Sequence, residues 1–213
     1  MTHKAILFDL DGTLTDSGEG IINCAIPALQ HYGLPVPDRE TMKEIVGPPL
    51  RDSMIKYGVP VEKVEEAIGI FRARYTTIGK YENHPYAGII EMLGKLKAQG
   101  HKLYIATSKP EPQARDILEH FNLMPFFDEV AGASVDESRA SKEEVIAYLK
   151  TKAGDVAQPV MVGDTIYDIK GAAIHGIPGI GVSWGYGSVE KMVEAGAIAI
   201  ADSPEELYEL LQK

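Results

Sequence analysis

Cysteine occurs once in these 213 residues, at Cys24, so no internal disulfide can form. The fold must therefore rest on a hydrophobic core, to which Cys24 itself contributes a small apolar side chain, and a reducing compartment is the expected setting. Long apolar runs are missing as well: none approaches the roughly 20 residues that a membrane span requires. The N-terminus runs directly into a strand pattern without a signal-peptide pattern, so the expected location is the cytoplasm, with no membrane partner. Basic residues are in deficit, 21 Lys and Arg against 31 Asp and Glu, for a formal net charge of -10. That balance speaks against generic nucleic-acid binding, which needs a basic face to offset backbone phosphates. It leaves room for a small phosphorylated substrate. Screening at physiological salt acts over roughly 8 Å, and a bound cation with one or two lysines makes a local anion site on an acidic protein.

Several functional motifs are absent too. An EF-hand loop starting at Asp9 would place its glycine sixth, where Leu14 stands. No G-x-x-x-x-G-K-[ST] phosphate loop exists, and Gly179-Ile180-Gly181-Val182-Ser183-Trp184 carries tryptophan where a dinucleotide fingerprint needs its third glycine. Gly132-Ala133-Ser134-Val135-Asp136 lacks the last glycine of a nucleophile elbow. The six histidines show no H-x-x-x-H or Cys/His ligand spacing, which argues against zinc. Neither internal repeats nor low-complexity tracts occur.

What is present begins at Lys4-Ala5-Ile6-Leu7-Phe8-Asp9-Leu10-Asp11-Gly12-Thr13. An apolar run reads as a buried strand and delivers carboxylates at i and i+2 where glycine lets the backbone turn. Taken alone, an Asp-rich solvated turn explains this as well. Residues 15 to 84 then read as helices: a first one ending near Gly33, a second over 39–46, a third to Tyr57 and a long fourth from Val61 to about Lys80. From Pro85 onward helices alternate with strands at 102–106, 127–131, 160–162, 179–182 and 197–201. Such alternation predicts an α/β fold, a three-layer core with a parallel sheet. The core spans 1–14 and 85–213, with a smaller all-helical domain over 15–84 inserted after the first strand.

Open sheets of this kind bind ligands beyond the C-terminal ends of their strands. Polar clusters fall at those ends: Asp9 and Asp11, then Thr107 and Ser108, then Asp164 and Asp168. An oxygen-rich, nitrogen-poor set suits a hard cation, and Mg²⁺ with a phosphate ester fits best. Asp9 can then attack phosphorus, Asp11 can protonate the leaving oxygen, and Thr107 with the Ser108 amide can donate to the phosphoryl oxygens. Asp164 and Asp168, at i and i+4, complete the metal side. The alternative for this pair is an Asp164 that caps the helix starting at Thr165, beside an exposed Asp168.

Asp9-Leu10-Asp11-Gly12-Thr13, Thr107-Ser108-Lys109, a lysine before a helix, and Gly163-Asp164-Thr165-Ile166-Tyr167-Asp168 together resemble the four motifs of the haloacid dehalogenase superfamily, in its phosphoglycolate-phosphatase-like branch. The resemblance spans the chain in the right order. It implies a Rossmann-like core with a helical cap, and a Mg²⁺-dependent phosphatase acting on small-molecule phosphomonoesters through an aspartyl-phosphate. By that resemblance Asp9 is the nucleophile, Asp11 the acid–base group and Thr107 the phosphate-binding hydroxyl. Mg²⁺ would be held by the Asp9 carboxylate, the Asp11 carbonyl and Asp164, with Asp168 reaching it through water or orienting its shell. Lys142 fits the third motif, although Arg139-Ala140-Ser141-Lys142-Glu143 lacks the usual proline, and Lys109 is a nearby competitor.

Gly12, Thr13, Ser108 and Lys109 are the remaining candidates for phosphate binding. Arg51, in Gly47-Pro48-Pro49-Leu50-Arg51, is a candidate contact to the far end of the substrate, although the bare pattern is a helix break. Trp184 and Tyr186 fall in a loop near the same mouth, with core packing as their default. The same residues would also serve a β-phosphoglucomutase-type phosphomutase or a pyrophosphatase. A non-catalytic binding protein of this fold would usually lack one of Asp9, Asp11 and Asp164, and all three are present. A monomer or homodimer is expected.

Overall fold

Ala5–Phe8, four consecutive buried apolar residues, form strand β1. They are described here in a computed structural model that covers residues 4–136, 138–154 and 157–212. Two compact units make up the chain, Met1–Thr15 with Pro85–Lys213, and Asp16–His84. The chain leaves the first through β2 (Thr15–Asp16) and builds α1 (Gly18–His31), α2 (Arg39–Met42), α3 (Leu50–Lys56) and α4 (Val64–Tyr75). It returns through β3 (His84–Pro85), which pairs with β2. Then follow α5 (Ile89–Ala98), β4 (Lys102–Pro110), α6 (Glu111–His120), β5 (Glu129–Ala133) and α7 (Lys142–Ala153). The last elements are β6 (Pro159–Gly163), α8 (Ile166–Ile174), β7 (Gly179–Val182), α9 (Val189–Glu194), β8 (Ala199–Ala201) and α10 (Pro204–Leu211).

The first unit is the expected α/β core. Its six strands run in the order β5-β4-β1-β6-β7-β8, every neighbouring pair parallel. Side chains alternate across a strand, so β1 feeds two cores. Ile6 and Phe8 pack with Leu93 and Leu96 of α5, Ile117 of α6 and Leu207 of α10. Ala5 and Leu7 pack on the other face with Val145 and Leu149 of α7 and Ala172 of α8. Each such fully buried Leu, Ile or Phe side chain contributes about 1.5–3 kcal/mol, which is how a chain without disulfides holds its layers together. Successive crossovers place β4 and β5 on one side of β1 and β6 to β8 on the other. The strand order reverses at β1, and the crevice at its C-terminal end is where such sheets take ligands.

The helical unit packs α1 against α4, burying Ile22, Ala25 and Leu29 on the first and Ala67, Ile68 and Phe71 on the second. Asp38 caps α2 by accepting the Thr41 amide at 2.9 Å. Several boundaries differ from those expected, among them that of β4, which runs on to Pro110 where the strand was expected to end at Ala106. The helix foreseen over 39–46 ends at Met42 and passes into a 3₁₀ turn. The long helix foreseen from Val61 to Lys80 is broken. Its regular part ends at Tyr75, where the Thr76 hydroxyl donates to the Arg72 carbonyl and Thr77 to Arg74, drawing off carbonyls near the helix end. Beyond it a Cβ on Gly79 would lie 2.4 Å from Cys24 Sγ, so only glycine fits in the 3₁₀ turn there. Strand β5 starts two residues later than expected because Met124–Phe126 form another such turn. The two-residue strands β2 and β3, too short for a periodic signal, were not expected. Among the described residues no helix is long and apolar enough to cross a membrane.

Candidate active site

Asp9 is the first residue beyond β1, and its amide still donates to the Val162 carbonyl of β6 at 2.9 Å. The backbone then closes tightly. The Leu10 carbonyl accepts the amides of Leu14 and Thr15 at 2.9 and 3.0 Å, and the Gly12 amide donates to the Thr15 carbonyl at 2.8 Å. Gly12 has φ +81°, and a Cβ there would lie 2.3 Å from Asp164 Oδ2. Both backbone conformation and space demand glycine at this point.

Asp164 follows β6 and is buried. Its Oδ1 accepts the Thr13 hydroxyl at 3.2 Å, and its Oδ2 accepts the Tyr186 amide at 2.8 Å. It does not cap α8. That role falls to Thr165, whose hydroxyl accepts the Tyr167 amide, while Asp168 Oδ2 accepts the Thr165 amide and hydroxyl at 3.0 and 2.8 Å. Asp168 is fully buried rather than exposed, and its Oδ1 is left facing Lys142.

Lys142 opens α7, whose capping box is built by Ser141 and Glu144. Its buried ammonium donates to the Ala106 carbonyl at 2.8 Å and stands 2.9 Å from Asp9 Oδ1 and 2.8 Å from Asp168 Oδ1. A Cβ on Gly171 of α8 would lie 2.7 Å from Lys142 Cβ, so that glycine leaves room for the lysine stem. Lys109, equally buried, reaches Asp11 Oδ2 at 2.5 Å, and its amide donates to the Thr107 hydroxyl at 3.3 Å. Each lysine therefore serves a different member of the Asp9–Asp11 pair. Thr107 is buried within β4, three residues before its end, and Ser108 beside it is exposed. Arg51 belongs to the helical unit, on α3, where it pairs with Glu65 of α4.

Burial and close charges perturb three of these groups, Asp9, Asp164 and Lys142. Burial pushes the Asp9 carboxyl up to about 6; Lys142 opposes the rise, the Asp168 charge adds to it and the Thr107 hydroxyl lowers it again. Burial, followed by the charges of Asp168 and Asp9, holds Asp164 well above the ordinary carboxylate range. Burial disfavours the Lys142 ammonium as well, but Asp168 and Asp9 outweigh it and keep the lysine firmly charged. The excess negative charge is what a cation would relieve. Carboxylate oxygens of Asp9, Asp164 and Asp168 all lie within 4.8 Å of one another. The Oδ1 atoms of Asp9 and Asp168 are buried and receive no hydrogen bond of proper geometry, Lys142 approaching both off the hydrogen-bonding direction. An oxygen-only set with unsatisfied lone pairs fits a hard divalent cation. The Asp11 side chain is outside this carboxylate cluster, turned to Lys109.

Trp184 and Tyr186 lie in the loop expected near the same mouth; Trp184 packs against the core, its default role, and the loop also helps build the site. The Trp184 indole donates to the Thr13 carbonyl at 3.1 Å, and a Cβ on Gly187 would lie 2.0 Å from the Asp164 carbonyl oxygen. The alternation Gly185-Tyr186-Gly187 just past a strand was the available signal for a backbone that must approach something closely.

A model of the haloacid dehalogenase-like hydrolases matches residues 6–182. A Mycobacterium tuberculosis protein named tyrosine-protein kinase PtkA is 42% identical over 211 residues, 98% of this chain and 72% of its own length. A 5′-nucleotidase of Pseudomonas aeruginosa is 40% identical over 194 residues, 90% of this chain and 88% of the other. Among solved structures, one described as a predicted phosphatase from Clostridium acetobutylicum has a TM-score of 0.93 at 39% identity, covering 100% of this chain and 99% of that one.

Proposed function

This chain belongs to the haloacid dehalogenase-like hydrolases, and within that family we propose that it is a phosphomonoesterase forming an aspartyl-phosphate on Asp9. The observation that carries this reading is the Asp9–Asp11 pair at one strand end, each carboxylate held by its own buried lysine, with Asp164 and Asp168 beside it. An Asp9 oxygen attacks phosphorus while the ester P–O bond breaks, and Asp11 gives its proton to the departing alcohol oxygen. Water then attacks the same phosphorus, Asp11 taking its proton, and the acyl-phosphate P–O bond breaks to free phosphate and restore Asp9. The Thr107 hydroxyl and the Ser108 amide donate to the phosphoryl oxygens, and Lys142 neutralises charge beside Asp9. Mg²⁺ is the cation we assign, with Asp9, the Asp11 carbonyl and Asp164 as its holders and Asp168 orienting them. When bound, it supplies positive charge to the phosphoryl oxygens.

The substrates we assign are small phosphate esters of the kind that the 5′-nucleotidase and phosphoglycolate phosphatase relatives are named for. The helical unit is the part assigned to choosing among them, with Arg51 its candidate contact. The single buried Cys24 supports a reducing, cytoplasmic setting. Asp9→Asn, nearly isosteric, tests the mechanism: it should fold normally and lose turnover, and near-wild-type activity in that variant would overturn the assignment.

The 42% identity with proteins named tyrosine kinases favours a second reading of the same residues. In it the phosphoryl group passes from Asp9 to a hydroxyl acceptor instead of water. Products separate the two: free phosphate from a panel of monoesters with Mg²⁺ supports the first, and label transferred to protein tyrosine supports the second. Isomerised hexose phosphate or cleaved diphosphate would mark the mutase or pyrophosphatase variants.

A further inference from the structure

Lys109 does not stand open to receive an anion. Its side chain is 5% exposed and its ammonium is spent on Asp11 Oδ2, 2.5 Å away, while the Asp11 side chain is 16% exposed. The other oxygen, Asp11 Oδ1, is buried and has no hydrogen-bond partner. The two oxygens of this carboxylate are thus unlike: one is occupied by an ammonium, and the other is left for a reacting group. Thr107 and Lys109, two residues apart in β4, share a side of the strand, and the Lys109 amide bonds the Thr107 hydroxyl. The lysine stem therefore rises from a strand of the sheet, whereas Asp11 sits in a turn. A side chain on a turn gains most from an outside anchor.

We propose that Lys109 is a positioning residue for Asp11, fixing its carboxyl so that Oδ1 faces the ester oxygen, rather than a group that binds the substrate's phosphate. The inference rests on the reading of Asp11 as the acid. With the ammonium on Oδ2, the proton of the acid form resides on Oδ1. It passes to the ester oxygen as the P–O bond breaks and the bond from Asp9 to phosphorus forms. Losing the anchor costs orientation at the proton-transfer step and leaves the nucleophile untouched.

The leaving group reads this out. An alkyl phosphate needs its departing oxygen protonated, whereas 4-nitrophenyl phosphate releases a stable phenolate and does not. Because kcat/KM reports only steps through the first irreversible one, the later work of Asp11 on water does not enter. Lys109→Met should lower kcat/KM for a primary alkyl phosphate about 100-fold, in the range of general-acid catalysis, and that for 4-nitrophenyl phosphate less than about 3-fold. Lys109→Arg should restore part of the alkyl-ester rate. Lys109→Gln, read in the same assay, covers the case in which the methionine variant does not fold, as judged by thermal melting. An equal loss on both substrates would overturn the proposal, because a phosphate-binding lysine serves both alike. So would no loss on either. Asp11→Asn is the control. If it discriminates between the two esters and the lysine variants do not, the Lys109 inference fails alone; if it does not discriminate, the reading of Asp11 as the acid fails with it.

Discussion

The indole Nε1–H of Trp184 donates to the Thr13 carbonyl oxygen across 3.1 Å, joining the loop after β7 to the turn after β1. Both segments also hold Asp164, the turn through the Thr13 hydroxyl and the loop through the Tyr186 amide. Trp184 is the only tryptophan in the chain, so its emission reports on this junction. Titrating metal-free protein with Mg²⁺ should change the intrinsic fluorescence, and a chelator should reverse the change. In Asp164→Asn the same titration should give no response.

Gly12 admits no side chain, since it combines φ +81° with a Cβ position 2.3 Å from Asp164 Oδ2. Gly12→Ala should destabilise the protein by more than about 1 kcal/mol through backbone strain alone. It should also lower turnover by roughly 100-fold, as a displaced reacting group does. Thermal melting and steady-state kinetics measure the two effects separately.

Lys142 stands between Asp9 and Asp168, and its removal leaves two buried carboxylates facing each other. Lys142→Met should cost about 3–5 kcal/mol, the usual penalty for breaking a buried ion pair from one side. Adding Asp9→Asn should recover part of that loss by removing one of the two stranded charges. Denaturant titration of the single and double variants measures the coupling.

Asp128 accepts from Lys97 at 2.7 Å, Lys102 at 2.8 Å and the Leu103 amide at 3.0 Å. Burial pushes its carboxyl up, but the bonds from Lys102, Lys97 and the amide outweigh that and hold it at about 2. A carboxyl depressed in the fold stabilises above its unfolded value and loses that contribution as pH falls through the folded one. Screening of the exposed Lys102 reduces the effect to about 1–2 kcal/mol at neutral pH. Wild type should therefore exceed Asp128→Asn in stability at pH 7, and the gap should close between about pH 4 and pH 2. Denaturation midpoints of both proteins across that range test it.

Most of the core was legible because it repeats a local rule. Apolar runs such as Ile180 to Val182, and helical spacing such as Ile89, Met92, Leu93 and Leu96, carry their periodicity in the chain itself. Broken elements were less visible. The halt after Tyr75 rests on the Thr76 and Thr77 hydroxyls, but the turn beyond it depends on Gly79 meeting Cys24, residues that are far apart in sequence.

In the site the division is similar. Asp9, Asp11, Thr107, Asp164 and Asp168 could be named from the sequence, since each stands at or just beyond the predicted end of a strand and residue type limits its chemistry. Their partners could not. Nothing local says that Lys142 would settle between Asp9 and Asp168, that Lys109 would turn to Asp11, or that Trp184 would bond Thr13. Those pairings join residues separated by tens of positions and depend on strand order and the depth of each side chain. The sequence by itself determined which oxygens and ammonium groups the site would have. Only the tertiary structure decided which group neutralises which, because charge pairing depends on distances that the folded sheet alone sets.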